Sequence, residues 1–275
     1  MRRTAPPCIT LLTDFGWADS YVAEMRGVIE RLAPGTHVID AAHDVPPGNV
    51  RSAAWILSRY WSLWPRGTIH IAVVDPGVGT RRAILLARAD GRWLLAPDNG
   101  LLTGVKAAAG SFIVCALRPN VRRPAGCSRT FHGRDIFAVA AARLVSGECP
   151  DRLAGPPLPR IVCLDDWSPR SRPGGRVEGR IVHVDRFGNL ITNLGPEHLP
   201  RGRWRLRIGR AVFDRLHGTF GDVAPGEELV YIGSAGRLEV AVRDGSAFAR
   251  HRAGSGAKVV VVPGGTGHRA SRASE

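Results

Sequence analysis

The chain has 275 residues, 44 % of them hydrophobic and 23 % charged. That is enough for one large domain or two ordinary ones, with a core buried without covalent staples. Its formal charge of +14 raises nucleic acid as a partner. Against this, all but two of the 38 basic residues are arginine, Lys106 and Lys258 being the exceptions, and they are spread along the whole chain. The densest cluster, Arg118 to Arg129, lacks interleaved aromatics, so neither a single-strand platform nor any other nucleic-acid partner is expected. No apolar run reaches the roughly 18 residues of a membrane span, so no membrane partner is expected either. The start, "MRRTAPPCITLLTDFG", reads as a strand rather than a signal peptide. The five cysteines (Cys8, Cys115, Cys127, Cys149, Cys163) show no CxxC spacing, which leaves a cytoplasmic protein without a metal or other cofactor as the expectation.

The first 150 residues alternate β-rich runs with helical periodicity, the pattern of parallel α/β units. "CITLLTD" is a strand ending at Asp14. "SYVAEMRGVIERLA" places Val22, Met25, Ile29 and Leu32 on one helical face, with Asp19 or Ser20 as cap and Pro34-Gly35 as stop. "HVID" is a short strand. Residues Asn49 to Trp64 form a helix with Val50, Ala53, Leu57, Tyr60, Trp61 and Trp64 on one face, ended by Pro65. "TIHIAVVD" is apolar enough for a strand covered on both faces. "AILLARAD" and "RWLLAPD" flank Asp90-Gly91 as a hairpin. "FHGRDIFAVAAARLVSG" is a helix with Ile136, Phe137, Ala140, Ala141 and Leu144 inward and Gly147 at its end.

After Cys149 the Pro/Gly-rich stretches "PDRLAGPPLPR" and "SPRSRPGGR" read as a linker. From Arg176 onward the β-like runs "VEGRIVHVD", "LIT", "WRLRIG", "ELVYIG", "RLEVAV" and "AKVVVVP" are separated by glycines, which predicts a small β-barrel or sandwich. The expected architecture is a sandwich-like α/β domain with a mainly parallel sheet over 1–165. A smaller all-β barrel follows over 175–265, and then a disordered tail over 266–275.

Three strand-like runs of the first half end on an acid: Asp14, Asp75 in "VVDPGVGT", and Asp98 in "APDNG". The carboxyl ends of parallel strands share one edge, and ligands bind in the crevice outside it. A single such Asp is ordinarily a turn former; three together point to a polar pocket. "RTFHGRD" sets His132, Arg134 and Asp135 at a helix start, where partial positive charge disfavours imidazolium and leaves the ring as a base. In the second half, "VDRFGNLITN" groups Asp185, Phe187, Asn189 and Asn193 around Gly188. Such a turn suits a flat heterocycle, although a plain β-turn explains Gly188 and Asn189 equally. GxSxG, Walker A, GxGxxG, HExxH and CxxC patterns are all missing.

Taken together, "TDFG…DSYVAEMRGVI", "VVDPGVGT", "APDNGLLT", "TFHGRDIFA" and "DRFGNLITN" resemble the S-adenosyl-L-methionine (SAM) hydroxide adenosyltransferases. These are relatives of the fluorinating and chlorinating enzymes that also act on SAM, and the resemblance runs in order from about Ile9 to Val262. It implies an N-terminal α/β domain, a C-terminal β-barrel and a homotrimer with active sites at subunit interfaces. It implies SAM as substrate and attack of water or hydroxide on the ribose C5′, giving adenosine and methionine. It also implies a catalytic Asp-Arg-His set: Asp75, His132 and an arginine of the pair after "GT". Family members carry one extra residue before that pair. Arg81 matches if the gap precedes it and Arg82 matches by distance from Asp75, with Arg81 the first choice and both retained. By block, Asp14 would bind the ribose hydroxyls, Phe187 and Phe220 would pack on the adenosyl group, and Asn189 would bond adenine. Ser234 would reach the methionine carboxylate or amine, and Asp185 would pair with that amine. The chain departs from the pattern at Gly48, where halogenating relatives place a bulky aromatic, and at Ala235, where some relatives have arginine.

Two alternatives accompany this reading: a SAM-dependent halogenase, and a non-catalytic SAM- or adenosine-binding protein. A carboxylate beside a halide would repel it, so Asp75 and His132 argue for water.

Overall fold

The structure, a computed structural model, describes residues 8–118, 121 and 127–264. The predicted tail over 266–275 and most of the Arg118–Arg129 cluster lie outside them. The chain divides into two compact units that meet in sequence at Leu164/Asp165, and each is described by itself. The five cysteines are free. Among the described residues no helix is long and apolar enough to cross a membrane.

The first unit is built on a seven-stranded sheet in the order β2-β1-β3-β5-β4-β6-β7. Its strands are β1 (Cys8–Thr13), β2 (His37–Ala42), β3 (Ile69–Val73), β4 (Ile84–Ala89), β5 (Arg92–Pro97), β6 (Phe112–Leu117) and β7 (Ala154–Pro157). The expectation of a mainly parallel sheet is corrected: β2, β1, β3 and β5 run parallel, whereas β4, β6 and β7 join in antiparallel pairings. Connection length explains the change. A parallel pair needs a crossover of about a dozen residues or more, and β4 and β5 are joined only by Asp90 and Gly91, both at positive φ (44° and 83°). That hairpin obliges β4 to run backward. β7 lies inside the Pro/Gly-rich stretch read as linker, where it closes the sheet edge against β6. Composition hid it because an edge strand tolerates proline.

Helices cover both faces. α1 (Tyr21–Leu32) and α4 (Val139–Val145) pack on one, burying Val22, Met25, Ile29, Ala140 and Ala141 against Ile9, Leu11, Ile69 and Ile71. Leu32, expected on the buried face of α1, is 43 % exposed because the helix ends there. On the other face α2 (Val50–Tyr60), the 3-10 turn Trp61–Leu63 after it and α3 (Thr103–Ala108) bury Ala53, Leu57, Trp61 and Val105 against Leu12, Ala72 and Leu94. Double coverage is why β3 is wholly buried.

The second unit is built of β-strands with one short helix, α5 (Ala247–His251). Its strands are β8 (Arg170–Arg172), β9 (Arg176–Val184), β10 (Leu190–Thr192), β11 (Trp204–Ile208), β12 (Ala211–Phe213), β13 (Glu228–Ile232), β14 (Leu238–Val242) and β15 (Lys258–Pro263). They pair antiparallel in the order β12-β11-β15-β9-β10-β14-β13, with β8 on β9. His217, just beyond β12, bridges to Tyr231 of β13, so the sheet comes near to closing on itself. Leu190, Leu206, Val230, Leu238, Val240 and Val259 fill its interior.

One polar group sits at the centre of the first sheet. His70 of β3 is fully buried, with its Nδ1 2.8 Å from Thr10 Oγ1. Burial, which penalises the charged ring, pushes its pKa down to about 4 from the ordinary 6.5. The unfolded chain therefore takes up this proton first as pH falls. The group's contribution is intact above about pH 6.5 and is lost progressively toward pH 4, about 3 kcal/mol in all. Urea unfolding from pH 7.5 to 4.5 is expected to show that decline, and His70→Gln to shrink it.

Candidate functional site

β1 and β3 are hydrogen-bonded neighbours in parallel register, with Thr13 opposite Val73. The two strands therefore release their next residues at one edge, and Asp14 and Asp75 both face the cleft that opens there. Beyond Val73 the chain turns tightly: Val78 N–H donates to Asp75 O (3.2 Å), and Thr80 donates to Gly77 O through N–H (3.2 Å) and Oγ1–H (2.7 Å). Gly79 (φ +80°) brings the turn so close to the Arg129 carbonyl that a Cβ would lie 2.8 Å from it. The turn sends Arg82 back onto Asp75. Arg82 Nε donates to Asp75 Oδ1 (2.6 Å) and Nη2 donates to Oδ2, a bidentate pair whose side chains are only 7 % and 5 % exposed. The same Nη2 is 3.0 Å from His132 Nδ1. Arg81, the first choice from the sequence, is exposed. Arg82 is the arginine that joins Asp75 and His132.

A guanidinium has only N–H groups to offer. Nδ1 of His132 is therefore the acceptor in that contact, and the neutral ring carries its proton on Nε2. His132 stands immediately before a π-helical turn, Gly133–Ala138, that leads into α4. Such turns recur at functional sites. The start is clamped: Arg134 donates to Asp135 (2.6 Å) and to Glu24 of α1 (2.8 Å), and Ser128 N–H donates to Asp135 Oδ2 (2.7 Å). The hydrogen bond from Arg134 is the main reason the Asp135 carboxyl lies below its usual range. Arg134 and Asp135 thus hold the helix start, and His132 faces the cleft.

The cleft has a volume of about 370 Å³. Its polar side chains include Asp14, Asp75, Thr130 and His132, and Phe15, Tyr21 and Phe131 form an aromatic wall with ring centroids 5.1 to 5.8 Å apart. Asp14 Oδ2 accepts from Gly48 N–H (2.8 Å), so the glycine supplies a backbone donor. Asp98 does not line this cleft; its Oδ1 accepts from Val162 N–H (2.8 Å) and fastens the end of the unit. Its neighbour Asn99, which sequence reasoning passed over, donates through Nδ2 to Val74 O (2.8 Å) and fixes the residue preceding Asp75. The aromatic wall was missed too, because its members come from three separate segments.

In the second unit, Asp185 organises the "DRFGN" loop. Oδ1 accepts from Phe187 N–H (3.0 Å) and Asn189 N–H (2.9 Å), and Oδ2 accepts from Asn189 Nδ2 (2.8 Å). Gly188 (φ +84°) is required there, since a Cβ would overlap Ser246. Phe187 is left 77 % exposed at the loop tip. Phe220 stacks at a tilt on Tyr231 (5.0 Å), whose hydroxyl donates to buried Glu239 (2.6 Å). Burial first, then Glu239, then the Asp185 charge raise the pKa of the Tyr231 hydroxyl. Ser234 is exposed in the turn between β13 and β14. Asn193, grouped with the loop from sequence, instead supports β9: Arg180 N–H donates to its Oδ1 (2.7 Å).

Comparison with known proteins covers nearly the whole chain. Residues 9–154 match the SAM hydroxide adenosyltransferase N-terminal domain, and residues 179–260 match the SAM hydroxide adenosyltransferase C-terminal domain. The (R)-S-adenosyl-L-methionine hydrolase of Salinispora tropica is 46 % identical over 248 residues, 88 % of this chain and 92 % of that protein. The hydrolase of the same name from Thermus thermophilus is 41 % identical, over 87 % of this chain and 93 % of that protein. A fluorinase from an Actinoplanes species is 29 % identical, over 86 % of this chain and 90 % of its own. The crystal structure of an uncharacterized conserved protein from Thermotoga maritima superposes with a TM-score of 0.81 at 35 % identity. It covers 92 % of this chain and 99 % of that one.

The buried pair predicts a contrast between adjacent arginines. Arg82→Ala strands the Asp75 carboxylate and is expected to cost about 3–5 kcal/mol in denaturant unfolding. Arg81→Ala, at an exposed position, is expected to stay within about 0.5 kcal/mol.

Proposed function

This chain belongs to the SAM hydroxide adenosyltransferase family and hydrolyses S-adenosyl-L-methionine to adenosine and L-methionine; we propose that Asp75, Arg82 and His132 activate the water. The observation that carries the proposal is the bidentate Asp75–Arg82 pair, bonded to His132 at the edge of a cleft that also holds Asp14. The sulfonium is an excellent leaving group and needs no proton. What the reaction needs is a water held in line with the carbon–sulfur bond. Its oxygen attacks C5′, the C5′–S bond breaks with its electron pair going to sulfur, and the water proton passes to Asp75 and on to solvent. Arg82 fixes both Asp75 oxygens from behind. His132 turns its Nε2–H to the water, orienting it rather than removing its proton.

Asp14 takes the ribose diol through the oxygen that Gly48 leaves open. In the second unit, Phe187 and Phe220 supply aromatic faces for adenine. Asn189 has committed its amide nitrogen to Asp185, so its Oδ1 receives the adenine amino group. Asp185 pairs with the methionine amine, and Ser234 with the carboxylate. These contacts come together in a cytoplasmic homotrimer, each site completed by the neighbouring subunit, and the chemistry uses no metal or other cofactor.

Purified protein given SAM should release adenosine and methionine with no halide present and with EDTA added, and should sediment as a trimer. 5′-Halo-5′-deoxyadenosine as the main product would overturn the choice of nucleophile. Asp75→Asn and His132→Ala should each lower kcat by about 10²–10⁴-fold while adenosine binding is largely kept. Full activity in either variant would remove that residue from the mechanism.

A further inference from the structure

Behind Asp14, on the side away from the cleft, lies a polar chain that the mechanism does not use. Thr13 and His43 are buried, 0 % and 1 % exposed. Thr13 Oγ1 is 2.7 Å from His43 Nδ1, and Phe15 N–H donates to the same Oγ1 (3.2 Å). His43 Nε2 is 3.1 Å from Asp40 Oδ1, while Asp40 Oδ2 accepts from Arg26 Nη1 of α1 (2.5 Å). His43 also accepts from Gly16 N–H through its backbone carbonyl (2.9 Å). Trp17 closes the ring off edge-on at 4.6 Å.

The directions of these bonds follow from their ends. Arg26 can only donate and the Asp40 carboxylate can only accept, so His43 carries its proton on Nε2. With the ring neutral, its Nδ1 accepts the Thr13 hydroxyl proton, which leaves a Thr13 lone pair for Phe15 N–H. Donors and acceptors alternate along the chain, and bonds aligned in this way reinforce one another. The chain ends on the turn Asp14–Phe15–Gly16, held through Phe15 N–H and Gly16 N–H at once. Asp14 and Phe15 are the two residues of that turn that line the cleft.

We infer that Thr13 and His43 are positioning residues. The Arg26–Asp40–His43–Thr13 chain fixes the aim of the Asp14 carboxylate, and with it the affinity for the ribose diol. The inference rests on the proposed role of Asp14.

Thr13→Val keeps the side-chain shape and deletes the hydroxyl; Thr13→Ser restores it. KM for SAM is expected to rise about tenfold in Thr13→Val, the loss of roughly one hydrogen bond. kcat should stay within about threefold, and Thr13→Ser should return KM to near wild type. Calorimetry should show wild type preferring adenosine to 2′,3′-dideoxyadenosine, with that preference reduced in Thr13→Val and recovered in Thr13→Ser. Asp40→Asn, at the partly exposed end of the chain, should shift KM in the same direction by less and guards against a poorly folding Thr13→Val. A protein that only lost stability would lose active fraction and leave KM and the preference untouched. Unchanged KM and preference in Thr13→Val and Asp40→Asn, with wild type hydrolysing SAM, would overturn the inference alone. A wild type without SAM hydrolysis would overturn the functional reading and this inference with it.

Discussion

Burying a carboxylate and a guanidinium together is tolerable only when their geometry is close to ideal. Asp75 and Arg82 answer to it with a two-pronged contact, both side chains almost fully enclosed. Much of the first unit serves this contact. The parallel register of β1 and β3 delivers Asp75 to the sheet edge beside Asp14. The "DPGVGT" turn reverses the chain in the few residues needed for Arg82 to reach back. Asn99, arriving at the end of β5, ties down the carbonyl of Val74. The π-turn then presents His132 to the nitrogen of Arg82 that already holds Asp75.

The elements whose cause is local were legible in the sequence, and those whose cause is distant were not. The Asp90-Gly91 hairpin, the three strand-end acids and the loop around Gly188 declare themselves because turn chemistry and backbone conformation are properties of a few adjacent residues. The sheet's direction was harder to read. Alternating strands and helices suggested parallel units throughout, and only the shortness of the connection into β5 betrays the reversal at β4. β7 was hidden by its prolines, which an edge strand accepts. Within the site, placing the one-residue gap before the arginine pair favoured Arg81, whereas the side chain that folds back onto Asp75 is Arg82, seven residues on and the match by distance from Asp75. Asp98 shows why the turn-forming reading of a lone acid is usually right: it looks like its two counterparts and binds a backbone amide.

The second unit shows a different economy. In the "DRFGN" loop both Asp185 oxygens are committed within the loop, to two backbone amides and to the Asn189 side chain. Such a loop is ordered before any ligand arrives, so little conformational entropy remains to be lost on binding. Phe187 stands out from it as an exposed ring on a hydrogen-bonded stem, which suits the stacking on adenine proposed for it.

The position of Arg82 bears on the choice between water and halide. Asp75 lines the cleft and Arg82 does not, so the guanidinium balances the pair from behind while the carboxylate meets whatever occupies the cleft. An anion there, about 4 Å from the carboxylate, would meet a repulsion of at most roughly 4 kcal/mol at the effective dielectric of a protein site, lessened by the more distant guanidinium. A halide has no proton with which to turn that repulsion into a hydrogen bond. Water does, and the carboxylate that excludes the one is an acceptor for the other. Within the proposed mechanism, the arrangement that makes burial of Asp75 tolerable is therefore also the one that selects the nucleophile.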